Sequence, residues 1–239
     1  MKEFFIADGW YWFLIAAAVC YLVGCFNFAV IISLFKKKDI RSEGSGNPGT
    51  MNMTRTFGLK VGALNFLCDV LKGGVPAVVA YFIFKDYVFA GTQIAVSDFA
   101  RYYFGLFVII GHIFPVTMKF KGGKGIASTM GLFAFALPCE TAWFFPVALA
   151  LLICVFLYII ITEWGSMGSL LGVSSLAIWQ AAMFVVMYSD CLTNPWVIAM
   201  LMILLSLNLL TWFAHRKNIY KLLAGEEHRT SVRKRKKAK

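Results

Sequence analysis

Residues 10–35 read WYWFLIAAAVCYLVGCFNFAVIISLF, and this run decides the fold class. It contains no acidic or basic side chain. As a helix rising about 1.5 Å per residue it is long enough to cross a hydrocarbon layer about 30 Å thick. It is also longer than the apolar core of a cleaved signal peptide. Working outward, six further apolar runs follow at 60–84, 99–117, 125–138, 141–162, 167–188 and 195–214. The run at 125–138 is short, about 20 Å of helix, and Pro138 and Pro146 turn it into a hairpin with the next. Apolar residues make up 60% of the 239, charged residues only 15%, and mean hydropathy is +0.74, so a soluble domain is excluded. The pattern predicts an all-α polytopic membrane protein of about seven transmembrane helices.

Charge orients the bundle. The net charge of +11 is not spread as a nucleic-acid surface would require. Lys36, Lys37, Lys38 and Arg41 follow the first run, Lys119, Lys121 and Lys124 the third, and Arg216, Lys217 and the terminal RKRKKAK the seventh. The intervening stretches 85–98 and 189–194 hold one Lys and three Asp. Basic loops stay cytoplasmic, so the N-terminus is expected outside and the C-terminus in the cytoplasm. Residues 1–225 read as one membrane domain and 226–239 as a basic cytoplasmic tail near anionic lipid. The six Cys show no metal-ligand or disulfide spacing, so no metal is expected.

Polar, glycine- or serine-rich stretches then gather on the cytoplasmic side. Ser45–Arg55, SGNPGTMNMTR, offers neutral hydrogen-bonding groups and one guanidinium suited to phosphate. Gly111–Ser128, GHIFPVTMKFKGGKGIAS, combines His112 with three Lys and four Gly, able to present backbone N–H groups to an anion. The spacing GxxxxGK[ST] is absent, which removes the nucleotide reading. Ser166 and Ser169 lie in GSMGS, and His215–Asn218, HRKN, leaves the last helix. Asp69 and Lys72 share one helix face within an apolar run, where ionisable groups are costly. They fit a structural ion pair and a cavity lining equally well. Asn27 reads as an interhelical hydrogen bond.

These motifs, in this order over residues 10–227, resemble the bacterial acyl-phosphate:glycerol-3-phosphate acyltransferase family. The resemblance implies a seven-helix enzyme of the bacterial inner membrane with its active site facing the cytoplasm. Such enzymes move a fatty acyl group from acyl phosphate to the 1-hydroxyl of sn-glycerol 3-phosphate, releasing phosphate and needing no cofactor. It also implies membrane lipid and the acyl-phosphate-producing enzyme as partners. Met51, Thr117 and Glu163 depart from the usual family pattern without removing an anion ligand. On this reading Ser45, Gly46, Asn47, Gly49, Asn52 and Arg55 hold one phosphate. Lys121, Lys124, Gly122 and Gly123 hold the second phosphate or the developing oxyanion. Arg216, Asn218, Ser166 and Ser169 complete the acceptor's shell, and the base is His112, His215 or the acceptor's own phosphate. The competing class, a transporter for a phosphorylated solute, would show polar residues on both faces or an inverted repeat, and neither is visible.

Overall fold

The first run is two helices. In the computed structural model, which describes residues 1–226, α1 (Ile6–Cys25) stops at Phe26 and α2 (Phe28–Phe35) restarts at once. Asn27 causes the restart. Its backbone is extended, and its side-chain oxygen accepts from the Val30 N–H at 3.0 Å, capping α2. Its Nδ2 donates to the Pro48 carbonyl at 3.3 Å, tying the helix break to the first polar loop. The interhelical role read for Asn27 is therefore corrected to a cap and a loop tether.

The other runs behave as their hydropathy predicts. They form α4 (Leu59–Phe84), α5 (Val96–Ile113), α6 (Ile126–Glu140), α7 (Phe144–Thr162), α8 (Gly165–Met187) and α9 (Pro195–Ala214). Two short amphipathic helices, α3 (Thr50–Phe57) and α10 (Arg216–Leu223), flank them. Among the described residues, six segments are long and apolar enough to cross a membrane, and α6 is a shorter apolar helix. Asn194 starts α9 by accepting from the Trp196 N–H at 2.9 Å, with Pro195 in the first helical position. The expected tail at 226–239 lies outside the described residues apart from Glu226.

Because the spans alternate in direction, the bundle has two chemically distinct ends. One end gathers α2, α3, the 114–125 loop, the α7–α8 turn and α10. The other holds the N-terminus, the 85–95 loop and the α8–α9 turn. A feature absent from the all-α expectation sits there: β1 (Lys2–Phe4) pairs in parallel with β2 (Tyr87–Phe89). Three-residue strands carry no readable alternation. Phe4 anchors β1 edge-on against Phe13 and Phe84, each at 5.9 Å between ring centres. A buried ion cluster also lies toward this end. Arg101 donates to Asp98 at 2.6 Å, to Glu140 at 2.9 Å and to the Ala136 carbonyl at 2.8 Å. Tyr188 donates to Asp98 at 2.6 Å and Gln180 to Glu140 at 2.7 Å, joining α5, α6 and α8.

Two close crossings bring the polar loops together. Where α1 meets α5, a Cβ on Gly24 would strike the Val108 carbonyl, and one on Gly111 the Tyr21 carbonyl. Where α4 meets α6, Gly73 lies against the Ser128 carbonyl and Gly131 against that of Val70. Small residues allow such backbone contact in lipid, where no hydrophobic drive holds helices together. Gly111→Val is therefore expected to cost at least the roughly 1–3 kcal/mol typical of overpacking. A thermal unfolding midpoint in detergent unchanged from wild type would contradict the crossing.

Candidate active site

A chain of buried polar contacts runs through the middle of the bundle. Lys72, on α4, places Nζ 3.1 Å from Asp69 Oδ1, 2.9 Å from the Phe26 carbonyl and 2.8 Å from His112 Nδ1. Both side chains of the ion pair are almost wholly buried, at 2% and 4% exposure, and Lys72 also lines an apolar groove. The two readings both hold: Asp69 and Lys72 form a buried ion pair, and Lys72 lines a cavity. Asn65, one turn before Asp69, donates to its Oδ2 at 3.2 Å and lies 3.2 Å from Thr50 Oγ1 at the start of α3. Polar contacts therefore link α3, α4, the α1–α2 break and α5.

His112 is a strut in this chain. An ammonium at Lys72 can only donate, so Nδ1 accepts from it and the ring proton belongs on Nε2, beneath the glycine loop. A Cβ on Gly123 would collide with His112 Nε2, and one on Gly122 with the His112 carbonyl. The loop's N–H groups are also used internally. Gly122 donates to the Ile113 carbonyl and Gly123 to that of His112, each at 3.1 Å. Two expectations are corrected here. His112 does not present a free base, and Gly122 and Gly123 serve close packing while their amides stay inside the loop. Gly125, with φ +79°, then starts α6 in a conformation that disfavours other residues.

Lys124, His215, Asn218 and Ser166 come together from three separate sequence motifs. Lys124 Nζ donates to Asn218 Oδ1 at 2.7 Å, and Asn218 Nδ2 donates to Ser166 Oγ at 2.8 Å. These contacts bring the starts of α6, α8 and α10 to one place, and helix N-termini favour anions. His215 is buried beside them at 2% exposure. Its Nδ1 donates to the Thr211 carbonyl at 2.8 Å, which leaves the Nε2 lone pair free to take a proton. Burial first, and the Lys124 ammonium second, hold its pKa down to about 4. Lys121 is exposed nearby on the same loop.

The first motif forms a tight loop leading into α3. Asn52 is inside it, not on its surface. Its Oδ1 accepts from the Ser45 N–H at 3.1 Å, and its Nδ2 donates to the carbonyls of Ile40 and Glu43. Asn52 is thus corrected from ligand to loop scaffold. Gly46, with φ +69°, and Gly49, which precedes α3, shape the turn around Asn47. Ser45 and Arg55 are exposed, and Arg55 makes no ion pair or hydrogen bond among the described residues. Two other candidates are committed elsewhere. Ser169 donates to the Gly165 carbonyl at 2.7 Å within its own helix. Arg216 folds back to the Phe213 carbonyl at 2.9 Å, with its guanidinium 4.2 Å from the Phe213 ring centre.

An apolar groove of about 410 Å³ reaches the buried chain. It runs along α1 and α4 over Phe104, from Ala16 and Val79 to Phe26, Phe28 and Lys72. Sequence reading did not find it, because its residues are ordinary span residues.

A family model described as glycerol-3-phosphate acyltransferase matches residues 14–225. The chain belongs to the glycerol-3-phosphate acyltransferase family. It is 36% identical over 215 residues to the glycerol-3-phosphate acyltransferase of Finegoldia magna, covering 90% of this chain and 94% of that one. The corresponding enzyme of Mycoplasma pneumoniae is 34% identical over 231 residues, covering 88% of this chain and 91% of its own. Among solved structures, PlsY (YgiH), an integral membrane glycerol 3-phosphate acyltransferase, is similar in two forms. Its glycerol 3-phosphate form superposes with a TM-score of 0.72 at 30% identity, over 91% of this chain and 94% of that one. Its lysophosphatidic acid form gives a TM-score of 0.68 over the same shares. The chain is accordingly a multi-pass membrane acyltransferase.

His215 gives this acyltransferase a testable electrostatic signature. Between pH 4 and the ordinary value of 6.5 the unfolded chain binds a proton that the folded imidazole refuses. The stability it contributes is therefore fully present above pH 6.5 and declines as pH falls toward 4. In ¹⁵N-histidine spectra the His215 signal should stay neutral down to about pH 4. Lys124→Met should move its titration upward. Titration of His215 near 6.5 in the wild type would contradict the site's geometry.

Proposed function

We propose that the enzyme transfers a fatty acyl group from acyl phosphate to the 1-hydroxyl of sn-glycerol 3-phosphate. The products are lysophosphatidic acid and inorganic phosphate. One observation carries the reading: an almost entirely apolar groove ends at Phe26 and Phe28, next to Asn27, which is tied to Pro48 of the first polar loop, and to Cys25, whose carbonyl accepts from Thr117 of the loop that carries Lys121 and Lys124. A lipid chain with a phosphorylated end, next to a second phosphorylated molecule, matches that arrangement.

The donor's chain lies in the groove. Its mouth at Phe26 and Phe28 adjoins the Asn27–Pro48 tether, so the donor's phosphate falls to the first motif, with Arg55, Ser45 and the start of α3. Glycerol 3-phosphate takes the other cluster. Its phosphate sits at Lys124 and the converging helix starts, with Asn218 and Ser166 holding the Lys124 ammonium in place. The acceptor oxygen attacks the acyl carbonyl, its proton passes to His215 Nε2, and the carbon–oxygen bond to phosphate breaks. Phosphate leaves readily, so positioning and charge stabilisation supply most of the acceleration. A phosphate dianion beside Lys124 offsets the ammonium and raises the pKa of His215, making the imidazole a better base when acceptor is bound. The site faces the cytoplasm of a bacterial inner membrane, on the strength of the basic loops at that end.

Purified protein given palmitoyl phosphate and glycerol 3-phosphate, without coenzyme A or added metal, should form lysophosphatidic acid and one phosphate per turnover. Arg55→Ala should raise KM for the donor, and Asn218→Ala should raise KM for the acceptor. His215→Gln should lower kcat by about 10²–10⁴-fold, the usual range for a general base. No product from wild-type protein would refute the reading.

A further inference from the structure

We propose that Lys72 is the positioning residue of the reaction, fixing the acyl groove, the glycine loop and the first motif to one point. The inference rests on the acyl-transfer reading above. Nζ of Lys72 is hydrogen-bonded to the Phe26 carbonyl at 2.9 Å and to His112 Nδ1 at 2.8 Å, and it forms an ion pair with the Asp69 carboxylate, whose Oδ1 is 3.1 Å away. With two hydrogen bonds and an ion pair inside the bundle, and its side chain 2% exposed, the ammonium is committed to holding its neighbours in place.

Each partner leads to a different part of the site. Phe26 is at the mouth of the groove, and its carbonyl is exposed to Lys72 by the break between α1 and α2. His112 lies directly beneath Gly122 and Gly123, the loop that carries Lys121 and Lys124. Asp69 bonds Asn65, which bonds Thr50 at the start of α3. Glycerol 3-phosphate and acyl phosphate are held by different loops, so their separation depends on what lies between those loops. Lys72 is the junction.

A buried charge pair is a costly way to hold helices together, since apolar residues of similar volume often stabilise as well. What it supplies here is a fixed set of directions. Loss of Lys72 leaves the helices packed through their glycine crossings but lets the two loops shift against each other. Misplacement by about 1 Å costs about 10²-fold in rate when reacting groups must be aligned.

The test uses full-length wild-type protein, Lys72→Met and Lys72→Arg in detergent, with labelled histidines. The His112 signal is assigned by its absence from His112→Gln. In the wild type His112 should be the Nε2–H tautomer, with Nδ1 accepting a hydrogen bond. In Lys72→Met that signature should be lost. Turnover should fall about 10²-fold, with KM for both substrates changing much less than kcat. Lys72→Arg should fall similarly, because a planar fork cannot reproduce two hydrogen bonds and an ion pair grouped around one atom. An Nδ1–H tautomer in the wild type overturns the inference whether or not the variants fold. So do variants that melt earlier yet keep wild-type kcat in their folded fraction. Inactive wild-type protein would instead sink the acyl-transfer reading, while the tautomer still judges the Lys72–His112 link.

Discussion

The contact on which the site depends is the hydrogen bond between Lys72 and His112, 2.8 Å long and forty residues apart in sequence. Within a membrane, an ammonium without partners would be prohibitive, and an imidazole could take either tautomer. Together they settle each other's state. Lys72 finds two hydrogen-bond acceptors and a carboxylate, His112 is left with its proton on Nε2, and the glycine loop closes over that nitrogen. The glycines are then a steric requirement of the histidine beneath them. That explains a Gly-rich loop whose Gly122 and Gly123 amides turn inward.

With His112 occupied, the two similar-looking histidines are held in opposite ways. His215 uses Nδ1 on the Thr211 carbonyl and keeps Nε2 open beside Lys124. The difference lies in which nitrogen is engaged, and by a donor or an acceptor. A site organised this way does not need a covalent nucleophile or a carboxylate pair. On the proposed reading, the activated donor brings its own leaving group, and the protein supplies anion sites, a groove and a base. No cluster of metal-ligating side chains occurs among the described residues.

Much of the architecture was legible in sequence because the bilayer imposes it. Apolar runs separated by basic loops become spans, and the boundaries agree to within a few residues. The motifs were legible as polar islands among apolar runs, and Lys124, His215, Asn218 and Ser166 converge from three of them. What sequence did not show is direction. Asn52 is as polar as Ser45, but it points into its loop. Arg216 is as basic as Lys124, but it lies on Phe213. Asn27 interrupts a continuous apolar run, and only its extended backbone shows that the run is two helices. The Arg101 cluster had a visible signal, since Asp98 and Arg101 stand three apart like Asp69 and Lys72. Its partners Glu140 and Gln180 are lone polar residues on other helices, and nothing local joins them.

The central claim is that two phosphate groups are held at once by separate loops of one site. The most direct measurement is equilibrium binding of glycerol 3-phosphate by calorimetry, with and without a saturating alkyl phosphonate analogue of the donor. The account requires one glycerol 3-phosphate bound per chain in both titrations, with affinity kept or increased by the analogue. Competitive loss of glycerol 3-phosphate binding as the analogue fills the protein would mean a single shared anion site, and would contradict it.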